Sequence, residues 1–119
     1  MQWTDGRRKS FIVSTLRSGF RRWPPKYETL NEACIGKRLN ESSGREAKHY
    51  KCNNCHGEFP AKQIQIDHIN PIVKPEQGFI SWDEFIDNLF CQKENLQALC
   101  ATCHKEKTKE ERTKRKNAS

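Results

Sequence analysis

Two cysteine pairs, Cys52-x-x-Cys55 and Cys100-x-x-Cys103, carry the strongest chemical signal in this chain. A gap of two residues lets both thiolates of a turn face one ion, while the intervening amides can donate hydrogen bonds to sulfur. Two such turns supply the four soft ligands that a tetrahedral zinc prefers. The rival readings are disulfides, disfavoured in a reducing compartment, and a thioredoxin-like redox pair, which needs no matching second turn. The 44 residues between the pairs exceed the spacing of a simple zinc ribbon, so something is inserted between the two halves of the site.

That insertion holds a second set of reactive side chains. Asp67-His68 closes an alternating segment and is followed by Ile69-Asn70-Pro71. Neighbouring strand residues point to opposite faces. The carboxylate can therefore meet an oxygen-seeking cation such as Mg2+ or Mn2+ while the imidazole approaches a reacting group from another side. An imidazole titrating near neutrality suits removal of a proton from water. The bland alternative is an ordinary surface Asp-His pair at a turn. His104 directly follows Cys103, so a filled four-cysteine site would fix its position relative to the strand carrying Asp67 and His68. A spare zinc ligand is its other use, a weaker reading because four cysteines already satisfy zinc. Cys34 and Cys91 match neither pair, and Cys91, on an apolar stretch, reads as a buried free thiol. His49 and His56 read as surface residues.

The elements that must position these groups can be sketched from pattern. Residues 10–23 place Phe11, Val13, Leu16, Phe20 and Trp23 roughly at helical spacing, ended by Pro24-Pro25. Tyr27 to Cys34 reads as a second short helix, and Asn40 to Lys48 as a loop by composition. CNNCHGEF is a tight turn, and KQIQIDHI alternates as a strand does. Ser81 is an N-cap, with Glu84 at capping-box distance, for a helix over SWDEFIDNLFC. Trp82, Phe85, Ile86, Leu89 and Phe90 are its expected buried stripe, core with no ligand role. Lys93 to Leu99 is a turn or short strand, and a polar helix runs from Cys103 toward a fraying C-terminus.

At 119 residues, with 34% hydrophobic and 31% charged side chains and a mean hydropathy of -1.00, the chain cannot bury a large core. It needs a metal, disulfides or a partner to hold it. No stretch approaches a membrane span, and no apolar run long enough for a signal peptide follows MQWTDGRRKS. The expected compartment is thus a reducing cytoplasm. The formal charge of +7 is uneven. Residues 1–26 carry seven Lys and Arg against Asp5, and residues 105–119 carry seven against three acids, which leaves the middle at -3. A mildly acidic centre between two basic arms fits a folded site flanked by segments that grip a polyanion; arms that merely aid solubility are the alternative. Arg7, Arg8, Lys9, Arg17, Arg21, Arg22, Lys105 and Lys107 are the candidate DNA-binding cations.

Two CxxC turns enclosing IDHINPI and NLQALCATCHKEKT resemble the HNH endonucleases, particularly the small phage and bacterial type with a zinc-bound ββα-metal hairpin. The resemblance covers residues 50 to about 109. It implies that His68, Asn95 and His104 are the three letters of the motif. It further implies His68 as general base, with Asp67 and His104 as ligands of one catalytic divalent metal such as Mg2+, Mn2+ or Ni2+. In such proteins the position of Asn95 usually braces the loop carrying the base, and in some relatives it contacts the metal. The segment 72–94 departs from the pattern as a long insertion. The expectation is a small α+β fold: a basic helical region over 1–49, an HNH nuclease domain over 50–109 and a basic tail over 110–119. A structural zinc on Cys52, Cys55, Cys100 and Cys103 closes the hairpin. The activity implied is metal-dependent hydrolysis of DNA phosphodiesters; the alternative is a non-catalytic zinc-bound DNA-binding module. Protein partners are not implied.

Overall fold

The computed structural model describes residues 2–118. Helix α1 (Asp5–Gly19) starts at Thr4, whose hydroxyl accepts the Arg7 amide at 3.2 Å. Asp5 in the first turn and Arg17 in the last both suit the helix dipole. The helix thus begins five residues before its apolar pattern does, because the cap rather than the stripe sets its start. A single 3-10 turn (Phe20–Arg22) leads to α2 (Pro24–Ala33). Pro24 and Pro25 form the first turn of α2, where missing amide donors cost nothing, so the helix opens on the prolines rather than after them.

The loop expected over residues 40–48 is mostly strand. Strand β1 (Cys34–Asn40) and β2 (Arg45–Lys51) form an antiparallel hairpin. Only residues 41–44 turn: the Asn40 carbonyl accepts the Gly44 amide at 2.8 Å, and Gly44 holds φ +73. Polar composition marked the turn, but the flanking strands lack the regular alternation of buried and exposed residues that would have announced them. Strand β3 (Glu58–Pro60) adds to β2, giving the order β1-β2-β3. His49, expected at the surface, is buried between Gly36 and Pro60 of the neighbouring strands, with Nδ1 on the Ala47 carbonyl at 2.9 Å. His56 is exposed, at φ 62 in the tight turn.

Strands β4 (Ile64–His68) and β5 (Leu96–Cys100) form a second antiparallel pair, in register from Ile64 opposite Cys100 to His68 opposite Leu96. Helix α4 (Ala101–Ala118) follows without a break, completing a ββα unit. Between the two strands lies α3 (Trp82–Leu89), capped by Ser81, whose hydroxyl accepts the Glu84 amide at 3.2 Å. Phe85 and Leu89 are buried, whereas Ile86 is 39% exposed and drops out of the expected stripe. A short helix buries one narrow face, and Ile86 lies outside it. The main core gathers Tyr50, Ile64, Ala98 and Leu99 around Cys52, Cys100 and Cys103. The fold is thus mixed α and β, with the cysteine turns in its centre. Among the described residues no helix is long and apolar enough to cross a membrane.

Candidate active site and metal centre

The ligand sulfurs of Cys52, Cys55, Cys100 and Cys103 all lie within 4.8 Å of one another. Cys55 and Cys100 are 3.9 Å apart; a tetrahedron of Zn–S bonds has edges of about 3.8 Å. Local backbone makes this arrangement. The Cys52 amide donates to Gly57 O at 2.9 Å, and the His56 amide to Cys52 O at 3.0 Å, closing the turn. A Cβ at Gly57 would come within 2.7 Å of the Phe59 ring, so any other residue there would force that ring to move. Burial raises the Cys52 thiol, but amides of Cys100, Cys55 and Asn54 aimed at its sulfur outweigh that and bring it to about 6. The Gly57 amide lowers Cys55 and the Asn54 side chain lowers Cys103, yet crowding by other thiols and desolvation leave both raised. One ready thiolate among crowded thiols is the donor chemistry of a cation site, and it fits zinc.

Helix α4 contributes Cys103 to this cluster and His104 and Lys107 to a different one. Asp67 lies across from Gln97 in the β4–β5 pair. Its Oδ1 is 3.8 Å from His104 Nε2. Its Oδ2 receives Lys107 Nζ at 2.9 Å and Gln97 Nε2 at 3.2 Å. Lys107 also donates to the His68 carbonyl at 2.8 Å and to Glu111 Oε1 at 2.7 Å. The expected DNA-gripping cation at 107 therefore has its ammonium turned inward. Desolvation lowers the Lys107 amine, but Glu111 and Asp67 outweigh it and hold the amine above its usual range. A carboxylate oxygen and an imidazole nitrogen at 3.8 Å suit a divalent cation that accepts oxygen and nitrogen donors.

His68 takes the opposite face of β4 and lies in dry surroundings. Its Nε2 is 2.9 Å from the carbonyl of Leu89, the last residue of α3. A carbonyl only accepts, so the proton sits on Nε2 and Nδ1 keeps a lone pair. The bond also satisfies one of the carbonyls that a helix end leaves open. The Phe20 ring packs on the imidazole at 4.8 Å between centroids. Burial lowers the His68 pKa below 6.5, outweighing the Leu89 bond and the Asp67 charge that pull it up. His68 is thus neutral at physiological pH.

Asp67, His68 and His104 line one cleft of about 420 Å3, together with Arg17, Lys107 and Arg115. Asn95 stands behind it. Its Oδ1 accepts the Asn70 amide at 2.9 Å, its Nδ2 donates to Asn70 O at 3.3 Å, and its own carbonyl accepts the Ile69 amide at 2.8 Å. Arg7, Arg8, Lys9, Arg21, Arg22 and Lys105 are exposed and do not line the cleft. Arg7 lies over Trp3 and Lys9 over Phe79. Cys34 and Cys91 are half-buried, and burial raises the Cys91 thiol. Reading the sequence missed Phe20, Gln97, the Leu89 carbonyl and the Lys107–Glu111 pair. Only the last left a signal, opposite charges four residues apart on a helix.

Residues 52–110 match the HNH endonuclease family model. A protein of Lactococcus phage SK1 named "Probable HNH endonuclease" is 34% identical over 67 residues, covering 56% of this chain and 62% of the phage protein. The match thus spans less than two thirds of that relative's length. No solved structure matches the chain.

Proposed function

Because residues 52–110 belong to the HNH endonuclease family, we propose that the chain is a metal-dependent endonuclease that hydrolyses DNA phosphodiester bonds. The observation that carries this is the convergence of Asp67, His68 and His104 on one cleft beside the four-thiol cluster. His68 is the general base: Nδ1, opposite the Leu89-bound Nε2, takes a proton from water as that water attacks phosphorus in line. Its lowered pKa keeps this lone pair free. Asp67 Oδ1 and His104 Nε2 would hold the divalent cation, Mg2+, Mn2+ or Ni2+. When bound, the cation supplies Lewis-acid stabilisation of the charge building on the phosphoryl oxygens and the departing 3′-oxygen. The products are a 5′-phosphate and a 3′-hydroxyl.

The remaining residues position these groups and the substrate. Asn95 braces the turn that follows His68, through its bonds to Asn70. Arg17 and Arg115 line the cleft, where they can meet phosphates flanking the cut. Arg7, Arg8, Lys9, Arg21, Arg22 and Lys105 grip the duplex more remotely. Zinc on the four cysteines fixes the start of α4 and so the position of His104. The test is nicking of a supercoiled plasmid by zinc-loaded protein with Mg2+, Mn2+ or Ni2+. Cleavage that leaves 5′-phosphate ends is expected. DNA binding without cleavage under any of the three cations would instead identify a zinc-bound DNA-binding module.

A further inference from the structure

Asp67 presents its two oxygens to different surroundings. Oδ1 faces His104 across 3.8 Å. Oδ2 already has two donors, Lys107 Nζ at 2.9 Å and Gln97 Nε2 at 3.2 Å. Neither donor is loose. The Gln97 side-chain oxygen accepts Asn53 Nδ2 at 2.9 Å, and Asn53 lies inside the Cys52–Cys55 turn. That bond sets which end of the Gln97 amide meets the carboxylate, since Asp67 can only accept. Lys107 is fixed in turn by Glu111 and by the His68 carbonyl.

From this geometry we propose that Gln97 and Lys107 are positioning residues: a two-point clamp that commits Asp67 Oδ2 to the protein and leaves Oδ1 to bind the divalent cation with His104. The clamp rests on the metal site proposed above. A carboxylate turns easily about its last torsion, which is broad and roughly two-fold. Without the clamp Asp67 would present either oxygen, and the Oδ1–His104 arrangement would be one of several. With it, the carboxylate is tied to the cysteine turn through Asn53 and Gln97, and to the backbone of His68 through Lys107. The three protons of the Lys107 ammonium are taken by Asp67, His68 and Glu111, so Lys107 orients a ligand rather than gripping a phosphate. The sign of its effect discriminates. An ammonium acting only through charge would repel a cation beside Asp67, and its removal would tighten metal binding. A clamp predicts the reverse.

The test is calorimetric titration of Mn2+ into the zinc-loaded full chain, for the parent and for Asp67→Ala, Lys107→Met, Lys107→Arg and Gln97→Leu. Groups that orient a metal ligand typically contribute 10- to 100-fold to affinity. Lys107→Met and Gln97→Leu should each weaken Mn2+ binding by roughly that factor while zinc content stays at the parental level. Lys107→Arg, which keeps charge and donors, should recover most of the loss. Parental or tighter Mn2+ binding in either Lys107→Met or Gln97→Leu overturns the clamp. If Lys107→Met loses its zinc and fold, Gln97→Leu decides alone. A parent with no Mn2+ site that Asp67→Ala removes would instead refute the metal site itself, and the clamp with it.

Discussion

Helix α4 serves two sites that differ in kind. Its first turn brings Cys103 to the sulfur cluster, beside Cys100 at the end of β5, while His104, Lys107 and Glu111 of the same helix reach the cleft. The sulfur cluster is closed: four like ligands, three of them buried, with amides aimed at the thiolate. The cleft is open, has two candidate ligands, and is ringed by cations. Closed four-ligand sites hold folds together, whereas sites with free coordination positions do chemistry. One helix can thus transmit the rigidity of the first site to the second.

If that division is right, damage at the sulfur cluster should be global. Apparent binding free energies of structural zinc are on the order of 10–16 kcal/mol, as large as a domain's whole stability. Cys52→Ser should therefore lose zinc, fold and cleavage together, as elemental analysis and circular dichroism would record. A folded, active protein without zinc would erase the distinction between the sites. Damage behind the cleft should be smaller and local. Leu89 is 1% exposed, and Leu89→Ala should cost about 2–5 kcal/mol in a urea melt. It should keep its zinc but lose cleavage as the carbonyl that orients His68 shifts; loss of zinc as well would mean the two sites are not separable.

Subtler still is the burial of His68. With its pKa lowered, His68 stays neutral as pH falls past 6.5, so the acid limb of kcat/KM should lie below that value. Phe20→Ala admits water to the imidazole, which should raise its pKa and move the acid limb upward. An unmoved limb would show that Phe20 does not set the environment of the base. The same shift bears on stability. The unfolded chain protonates His68 before the folded one does, so this histidine's contribution is present above the unfolded value and is lost as pH falls through the folded one. The remote arm should matter least for chemistry. Replacing Arg7, Arg8 and Lys9 by Gln should lower the dependence of log affinity on log salt by about 0.9 for each phosphate no longer neutralised. An unchanged slope would remove the N-terminus from the DNA grip.

The same contrast explains what the sequence made legible. The sulfur cluster needs two turns with a two-residue gap, and each turn is written in four consecutive residues. The Ser81 cap and the β4 alternation are local in the same sense. The cleft is assembled from the end of α1 and the turn after it, the end of β4, the loop over 71–78, the end of α3 and the stretch of α4 from His104 to Arg115. Its contacts between Phe20 and His68, or between His68 and the Leu89 carbonyl, join residues 48 and 21 positions apart, and no periodicity encodes them. Backbone carbonyls have no residue identity to read, so the partner of His68 had no signal. The hairpin of β1 and β2 escaped for another reason: its strands are held by backbone pairing with no regular alternation of burial, and hydrophobic pattern reports burial rather than pairing.

We assign adjacent residues of β4 to different work: Asp67 holds the cation with His104 while His68 moves the proton. The most direct test pairs Mn2+ titration with plasmid nicking for His68→Ala and His104→Ala. His68→Ala should bind Mn2+ as the parent does and lose on the order of 100- to 10,000-fold in cleavage rate. His104→Ala should lose Mn2+ affinity and cleavage together, with zinc retained in both. A His68→Ala protein that nicks at the parental rate, or that fails only because Mn2+ no longer binds, would contradict the account.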